Sequence, residues 1–137
     1  MQHFEVVKDE DGTLAIIIRK DFSTDGIEFF TPDNFSQQLA YMHHKKGRKI
    51  KPHIHNAVKR EVHYTQEVLY LKKGKLKVDI YQKDRSFFAS YILNGGDCIL
   101  LAGGGHGFEV LEDIEMIEVK QGPYAGDMDK EHFEGKQ

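Results

Sequence analysis

The stretch Lys75-Leu76-Lys77-Val78-Asp79-Ile80-Tyr81 alternates polar and apolar side chains at every position. Successive side chains of a β-strand point to opposite faces, so this pattern predicts a strand with one buried and one solvated face. The apolar run at residues 67–71 comes just before it, and Lys72-Lys73-Gly74 lies between the two. Because glycine favours tight turns, the two runs are predicted to form a β-hairpin.

Short apolar runs recur along the rest of the chain and are separated by turn residues. They cover residues 13–20, 26–30, 39–44, 87–93, 97–101, 107–110 and 114–120. Thr31-Pro32-Asp33 is expected to start one helical turn, since proline favours the first position of a helix. About eight to ten short strands at this spacing are typical of a sandwich or barrel, so the sequence predicts an all-β fold.

The length and composition are those of one globular domain. The chain has 137 residues, of which 39% are hydrophobic, and no linker rich in proline, glycine or serine divides it. One domain over residues 1–137 is therefore expected, with a core barrel over about residues 13–121. Residues 122–137 are polar and are interpreted as a surface loop, a short helix or a dimer contact.

Charge and hydropathy argue against several classes of protein. The net charge of −3 gives no global support for a nucleic-acid or membrane-surface partner. No stretch approaches the roughly 18 apolar residues of a spanning helix, and the N-terminus lacks the order of a secretory signal, so a cytoplasmic protein is expected. The single cysteine, Cys98, excludes an internal disulfide and is interpreted as a small buried hydrophobe.

Histidine and glutamate supply the candidate chemistry. His53-Ile54-His55 would place two imidazoles on one face of a strand, with Cα atoms about 6.6 Å apart, close enough to share a metal ion. Glu67 opens an apolar strand, where a carboxylate is costly unless it is paired, protonated or metal-bound. His106 follows three glycines, which permit a tight turn. Three imidazoles and one carboxylate form a ligand set suited to a transition metal.

The spacing of these residues resembles the first motif of the cupin superfamily. Five residues separate Gly47 from His53-x-His55, and six residues separate Glu67 from Gly74. Eleven residues lie between His55 and Glu67, whereas the family usually has three or four. Glu61 is the competing carboxylate, but no glycine follows it at the distance that the motif requires.

A second segment resembles the second cupin motif. Gly95 is followed by five residues, Leu101-Ala102-Gly103, two residues and His106, with leucine in place of the motif's proline. The two motifs cover roughly residues 47–110. The resemblance implies a single-domain jelly-roll β-barrel (a double-stranded β-helix) that binds one divalent transition metal such as Fe, Mn, Ni or Zn. The ligands that it implies are His53, His55, Glu67 and His106.

Further residues are candidates for catalysis and substrate binding. His63 would share a face with Glu67 if residues 64–71 form one strand, which would make it a candidate acid–base residue; the alternative is a loop histidine. Five cations between Lys45 and Lys51, followed by Lys59-Arg60, would attract an anionic substrate or simply lie on a solvated hairpin tip.

The last predicted strand carries Glu118 and Lys120 on one face. If that face points inward, Lys120 is a candidate catalytic residue that contacts a substrate carboxylate or phosphate; if it points outward, both are ordinary surface charges. Arg60, Glu118 and Gln121 are the predicted substrate-binding residues.

The resulting hypothesis is a metal-dependent enzyme of the isomerase, epimerase or dioxygenase type that acts on a small polar, anionic or sugar-derived metabolite. The alternative is a cupin module that binds a small molecule without turnover, since fold does not fix function. A third option is a metal-free structural barrel. A homodimer is also expected, in which the strand at residues 13–20 would pair across a two-fold axis.

Overall fold

The computed structural model describes residues 3–135 and is all-β; within this range it contains no α-helix. The strands are β1 (Phe4–Asp9), β2 (Gly12–Ile18), β3 (Gly26–Phe29), β4 (Ala40–His43), β5 (Glu67–Tyr81), β6 (Phe87–Asn94), β7 (Cys98–Leu101) and β8 (Gly105–Lys120). One short 3₁₀ helix, Gly126–Met128, follows them. No helix in the described range is long and apolar enough to cross a membrane.

Six strands form one antiparallel sheet in the order β1-β2-β7-β5-β6, and β8 pairs with β5. The first half of β5 pairs with β7, and its second half pairs with β6. β8 accompanies β5 along both halves. The sheet therefore curls into a half-barrel, while β3 and β4 form a separate hairpin.

The predicted hairpin around Lys72-Lys73-Gly74 is wrong, because β5 runs through these residues as one strand of fifteen. Gly74 has a φ of +98°, and a Cβ there would come within 2.1 Å of the carbonyl oxygen of Asp113 on β8. The β6–β7 turn satisfies the backbone at this point, since the Gly96 and Gly95 amides donate to the carbonyls of Leu71 and Gly74. Glycine here bends the strand from one partner to the next and does not reverse it.

A related correction applies near the C-terminus. The runs at residues 107–110 and 114–120, predicted as two strands, are parts of the single strand β8. The irregular pairing of Lys73 and Lys75 with β8 lies at the same bend, so both long strands turn together. The curl encloses the main core, whose buried side chains include Ala15, Ile17, Leu69, Leu71, Leu76, Val78, Ile80, Leu93, Ile99 and Leu101.

The other face of the sheet is covered near β1 by aromatic side chains. The ring of Phe4 packs against Phe22 and Phe30, with ring centroids 5.7 and 5.2 Å apart, and Phe22 in turn contacts Tyr41 of β4. Edge-to-face contacts of this kind add to the burial energy of the rings. The β3–β4 hairpin is thereby attached to the large sheet through the residues that flank it.

Other strand predictions agree with the structure, with one omission and one error. The runs at residues 13–20, 26–30, 39–44, 87–93 and 97–101 are strands with slightly different ends. β1 lies before residue 13, so the sheet begins earlier than predicted. No helix forms at Thr31-Pro32-Asp33, where a hydrogen bond from the Phe35 amide to the Pro32 carbonyl closes a turn instead.

The location of β2 bears on the predicted homodimer. β2 pairs with β1 on one side and with β7 on the other. Both of its edges are therefore occupied, and this strand cannot extend a sheet across a two-fold axis. Pairing through residues 13–20 is wrong, and a homodimer formed in another way stays a prediction.

Candidate functional site

Two of the predicted ligands meet in the half-barrel. Glu67 is the first residue of β5, whereas His106 lies opposite Ile80, thirteen positions farther along the ladder. A straight strand would separate these positions by about 43 Å. Because the β5–β8 ribbon bends back at Gly74, the His106 Nε2 atom lies 2.9 Å from the Glu67 Oε1 atom and donates a hydrogen bond to it.

The environment of Glu67 keeps its carboxylate ionised. Its side chain is only 13% exposed, and burial by itself would raise its pKa. The hydrogen bond from His106 is the largest influence and lowers the pKa, and the positive charges of His106 and Lys120 act in the same direction. The carboxylate is therefore an acceptor or a metal ligand that does not first have to lose a proton.

The opposite end of β8 brings two more charged groups to this place. Lys120 pairs with Glu67 in the ladder, and Glu118 pairs with Leu69, whose side chain belongs to the core. The Lys120 Nζ atom lies 3.4 Å from the Glu118 Oε1 atom, and this contact raises the pKa of the lysine. Both side chains therefore lie on the face of the sheet that lines the cleft, but the pair is not buried, since Lys120 is 30% and Glu118 47% exposed.

These side chains line a cleft of about 900 Å³, within the range of small-molecule sites in proteins. Its walls include apolar side chains such as Leu101 and Phe108, and its C-terminal side is formed by residues after β8. Ionisable side chains are numerous in its lining: Asp9, Asp11, Glu67, Lys83, Arg85, His106, Glu118, Lys120, Asp129, Lys130, Glu131 and His132. The cleft thus combines an apolar wall with several groups that can carry or accept protons.

The other two predicted ligands lie elsewhere. His53 and His55 belong to residues 44–66, a segment without strand or helix, and both are exposed. Their rings are close to each other, with centroids 5.3 Å apart. Across residues 3–135 no group of three or more histidine, cysteine or acidic side chains is gathered around a common point. The structure therefore brings together two of the four predicted ligands.

The remaining predicted residues divide in the same way. His63 is exposed, its Nε2 atom lies 3.9 Å from the Glu61 Oε2 atom, and neither residue lines the cleft. β5 begins only at Glu67, so the strand that would have aligned His63 with Glu67 does not form. Arg60 is exposed in the same segment, and the side chain of Gln121 accepts a hydrogen bond from Gln37 outside the cleft.

Asp129 and His132, which line the C-terminal side of the cleft, are not among the site residues predicted from the sequence. Asp129 accepts a hydrogen bond from the hydroxyl of Thr65, two residues before Glu67. Asp129 and His132 belong to the polar stretch that was interpreted only as a loop, a short helix or a dimer contact. One signal was present, because Phe133 is a large aromatic residue in an otherwise polar stretch and such a side chain usually requires a packing partner.

Comparison of the chain with models of protein families, with curated proteins and with solved structures found no match. The interpretation of the cleft therefore depends on its own geometry and charge.

Proposed function

We propose that this protein is a metal-binding jelly-roll protein of the cupin type, in which Glu67 and His106 hold one divalent transition metal next to a substrate cleft. The observation that carries the proposal is the direct contact between the two side chains inside a cleft that also contains Lys120. We further propose that the protein is an enzyme for a small anionic or sugar-derived metabolite.

The distance within the pair fits shared coordination. Two donors that are each about 2.1 Å from one ion and occupy adjacent octahedral positions lie about 3.0 Å apart. The measured separation between the Glu67 Oε1 and His106 Nε2 atoms is 2.9 Å. An imidazole nitrogen and a carboxylate oxygen are also donors that Fe, Mn, Ni and Zn accept. The pair could bind such an ion with little movement once the Nε2 proton is lost.

In the four-ligand form of this proposal, His53 and His55 also approach the pair. The segment that carries them exposes apolar side chains, among them Ile54 at 87% and Val58 at 60%. On the open side of the half-barrel, Phe108 is 42% exposed and Val110 is 55% exposed. These two side chains lie on the same face of β8 as His106, because every second residue of a strand points to the same side. Contact between the two surfaces would bury apolar area on both, which supports closure of the segment over the cleft.

A bound divalent metal would polarise a substrate oxygen as a Lewis acid. The Lys120 ammonium group lines the cleft and would contact an anionic group of the substrate once a bound metal ion offsets the negative charges of Glu67 and Glu118. The neighbouring Glu118 carboxylate holds this ammonium in place and raises its pKa, so Lys120 stays protonated and Glu118 is the group that can accept a proton. A cleft with only apolar walls would favour simple binding, so these ionisable groups support proton transfer, as in an isomerase or epimerase.

The metal proposal is tested by elemental analysis. The protein is stripped with a chelator, reloaded separately with Fe(II), Mn(II), Ni(II) and Zn(II), desalted and measured. We expect one ion per chain in the wild type and less than about a tenth of that in Glu67→Gln and His106→Gln, since each lost ligand typically weakens a site strongly. The double variant His53→Gln/His55→Gln is expected to lose the ion as well.

His43→Gln is the matched control, because His43 lies on β4 and pairs with Asp25 outside the cleft. This variant should bind as much metal as the wild type. Wild-type protein without stoichiometric metal after every reloading would overturn the proposal. Retention of metal in His53→Gln/His55→Gln would remove these two residues from the ligand set.

Catalysis is tested separately from binding. The metal-loaded protein is incubated in D₂O with sugar phosphates and with hydroxy acids, and deuterium at carbon is measured by mass spectrometry. Incorporation that is lost in Lys120→Met, while the metal content stays unchanged, is the expected result for a proton-transferring enzyme. Binding of a compound without incorporation or any other conversion would instead identify a non-catalytic binding module.

A further inference from the structure

The residues that follow β8 form part of the cleft. Residues 122–135, called here the C-terminal strap, contribute a continuous row of lining residues, from Asp129 to Phe133, together with Gly135. In the described part of the strap, the only regular structure is the 3₁₀ turn Gly126–Met128. The strap therefore lies along the opening that leads to Glu67 and His106.

Phe133 attaches the strap to one wall. Its ring meets the ring of Tyr81 edge to face, with centroids 5.1 Å apart and planes at 89°. The guanidinium group of Arg85 lies 5.5 Å from the same ring. The ring also covers Gly105, where an added Cβ would come within 2.9 Å of it. Phe133 thus occupies a fitted position at the end of β5 and the start of β8.

Polar contacts attach the strap at two places. The Arg85 Nη2 atom lies 3.0 Å from the Glu131 Oε2 atom, next to the position of Phe133. On the other wall, the hydroxyl of Thr65 donates to the Asp129 carboxylate, just before β5 begins. The strap consequently bridges the cleft from the Tyr81 side to the Glu67 side.

Backbone pairing does not hold the strap to the half-barrel. Among residues 122–135, the hydrogen bonds between backbone groups run from Met128 to Ala125 and from Asp129 to Gly126, both within the strap itself. Side-chain contacts alone connect it to the strands. Segments held in this way open at a much lower free energy than strands in a sheet.

We propose that the C-terminal strap is a gate of the cleft, that Phe133 is its latch, and that Asp129 and His132 complete the ligand site when the strap is closed. Ligand enters when Phe133 leaves the position over Gly105 and the contact between Thr65 and Asp129 breaks. Closure then presents the Asp129 carboxylate and the His132 imidazole to the bound molecule. This inference depends on the proposed function only in that the cleft holds a ligand.

Access to His106 measures the opening of the strap without any metal. Metal-free protein is treated briefly with diethyl pyrocarbonate, and modification of each histidine is followed by mass spectrometry. We expect His106 to react up to about threefold faster in Phe133→Ala than in the wild type, because a third of its side chain is already exposed with the strap closed. His43 lies away from the cleft and is 43% exposed, so it should react at the same rate in both proteins and corrects for differences in reagent.

Tyr124→Ala is the matched control, because Tyr124 is an aromatic residue of the same strap that is 86% exposed. This variant should leave the His106 rate unchanged. Gly105→Val provides a second route to an open strap, since its side chain would displace the Phe133 ring without altering the strap. An unchanged His106 rate in both Phe133→Ala and Gly105→Val would overturn the proposal.

A crosslink tests the opposite direction. Thr65→Cys and Asp129→Cys, combined with Cys98→Ala, would join the strap to the start of β5. With Phe133→Ala added to this protein, we expect oxidation to return His106 to the wild-type rate and a reductant to restore the faster rate. Equal rates in the oxidised and reduced forms would show that the strap does not control access. If the strap gates the cleft but the wild type binds no metal, only the proposed metal function fails.

Discussion

The β5–β8 ribbon and the segment at residues 44–66 each carry two of the four predicted metal ligands, yet they are built differently. The ribbon is paired along its whole length and presents Glu67 and His106 to each other. The segment has no strand or helix, and His53 and His55 lie on it exposed. Strand pairing fixes the positions of Glu67 and His106 in the ribbon. No strand pairing fixes His53 and His55, so a bound metal ion would have to position them.

Two glycines with similar backbone angles provide the strongest contrast between these regions. Gly74 in β5 has a φ of +98° and is crowded by Asp113, whereas Gly47 in the segment has a φ of +92° and nothing within 4 Å of an added Cβ. Gly74→Ala should lower the free energy of unfolding by more than about 4 kcal/mol, or prevent folding, because strain and overlap add. Gly47→Ala should lower the free energy of unfolding by only about 1–2 kcal/mol, which is the cost of the backbone strain alone.

Urea denaturation of both variants measures this difference. Similar losses in the two proteins would contradict the conclusion that the bend at Gly74 brings the two ends of the ribbon together. A Gly74→Ala protein that folds normally should also retain the contact between Glu67 and His106, which His106 modification would detect.

Apolar side chains in the two regions should differ by a smaller amount. Leu71 is 0% exposed in the core beside the bend, whereas Ile54 is 87% exposed between the two histidines. Leu71→Ala is expected to cost about 3 kcal/mol through lost burial and a residual cavity. Ile54→Ala should change the stability of the metal-free protein by less than about 0.5 kcal/mol.

The effect of Ile54→Ala is measured from denaturant midpoints in the presence and in the absence of metal. If the segment closes over the cleft when metal binds, Ile54→Ala should become destabilising only in the metal-loaded protein. A loss of stability in metal-free Ile54→Ala would instead show that the segment is already packed.

The reactivity of Cys98 tests the burial of side chains in the sheet and is expected to show the smallest effects. Burial raises the pKa of the Cys98 thiol to about 11, and the nearby Asp97 carboxylate adds to this effect. At pH 8 the thiolate population of Cys98 is therefore about 100-fold below that of an unperturbed cysteine. Alkylation by iodoacetamide should accordingly be slow in the wild type and fast in Cys98→Ala/Ile54→Cys, where the new thiol lies on the exposed segment.

The same shift predicts a pH dependence of stability. The thiol of the folded protein binds its proton more tightly than that of the unfolded chain, so this contribution is complete below about pH 9 and is lost as the pH rises towards 11. Wild-type protein should therefore lose more stability than Cys98→Ala between pH 8 and pH 10.5. Equal losses would indicate that Cys98 is not buried as described.

Local patterns predicted individual strands well and predicted their connections poorly. The β-branched run before Arg19 is β2, because such residues pack well on a pleated surface whatever the topology. The glycine at position 74 reads equally as a turn or as a bend, since both require a positive φ. Which one forms depends on whether the β6–β7 turn is present to satisfy the freed backbone groups, and that turn lies about twenty residues away.

The sequence alone determined the all-β class and the candidate ligands, because alternation and residue chemistry are local properties. Only the tertiary structure decided that Glu67 and not Glu61 contacts His106, and that Lys120 lines the same cleft. It also decided that the polar residues after β8 line the cleft, through the contact of Phe133 with Tyr81. The physical reason is the same in each case: these contacts join positions far apart in the chain, and only the curl of the sheet brings them within reach.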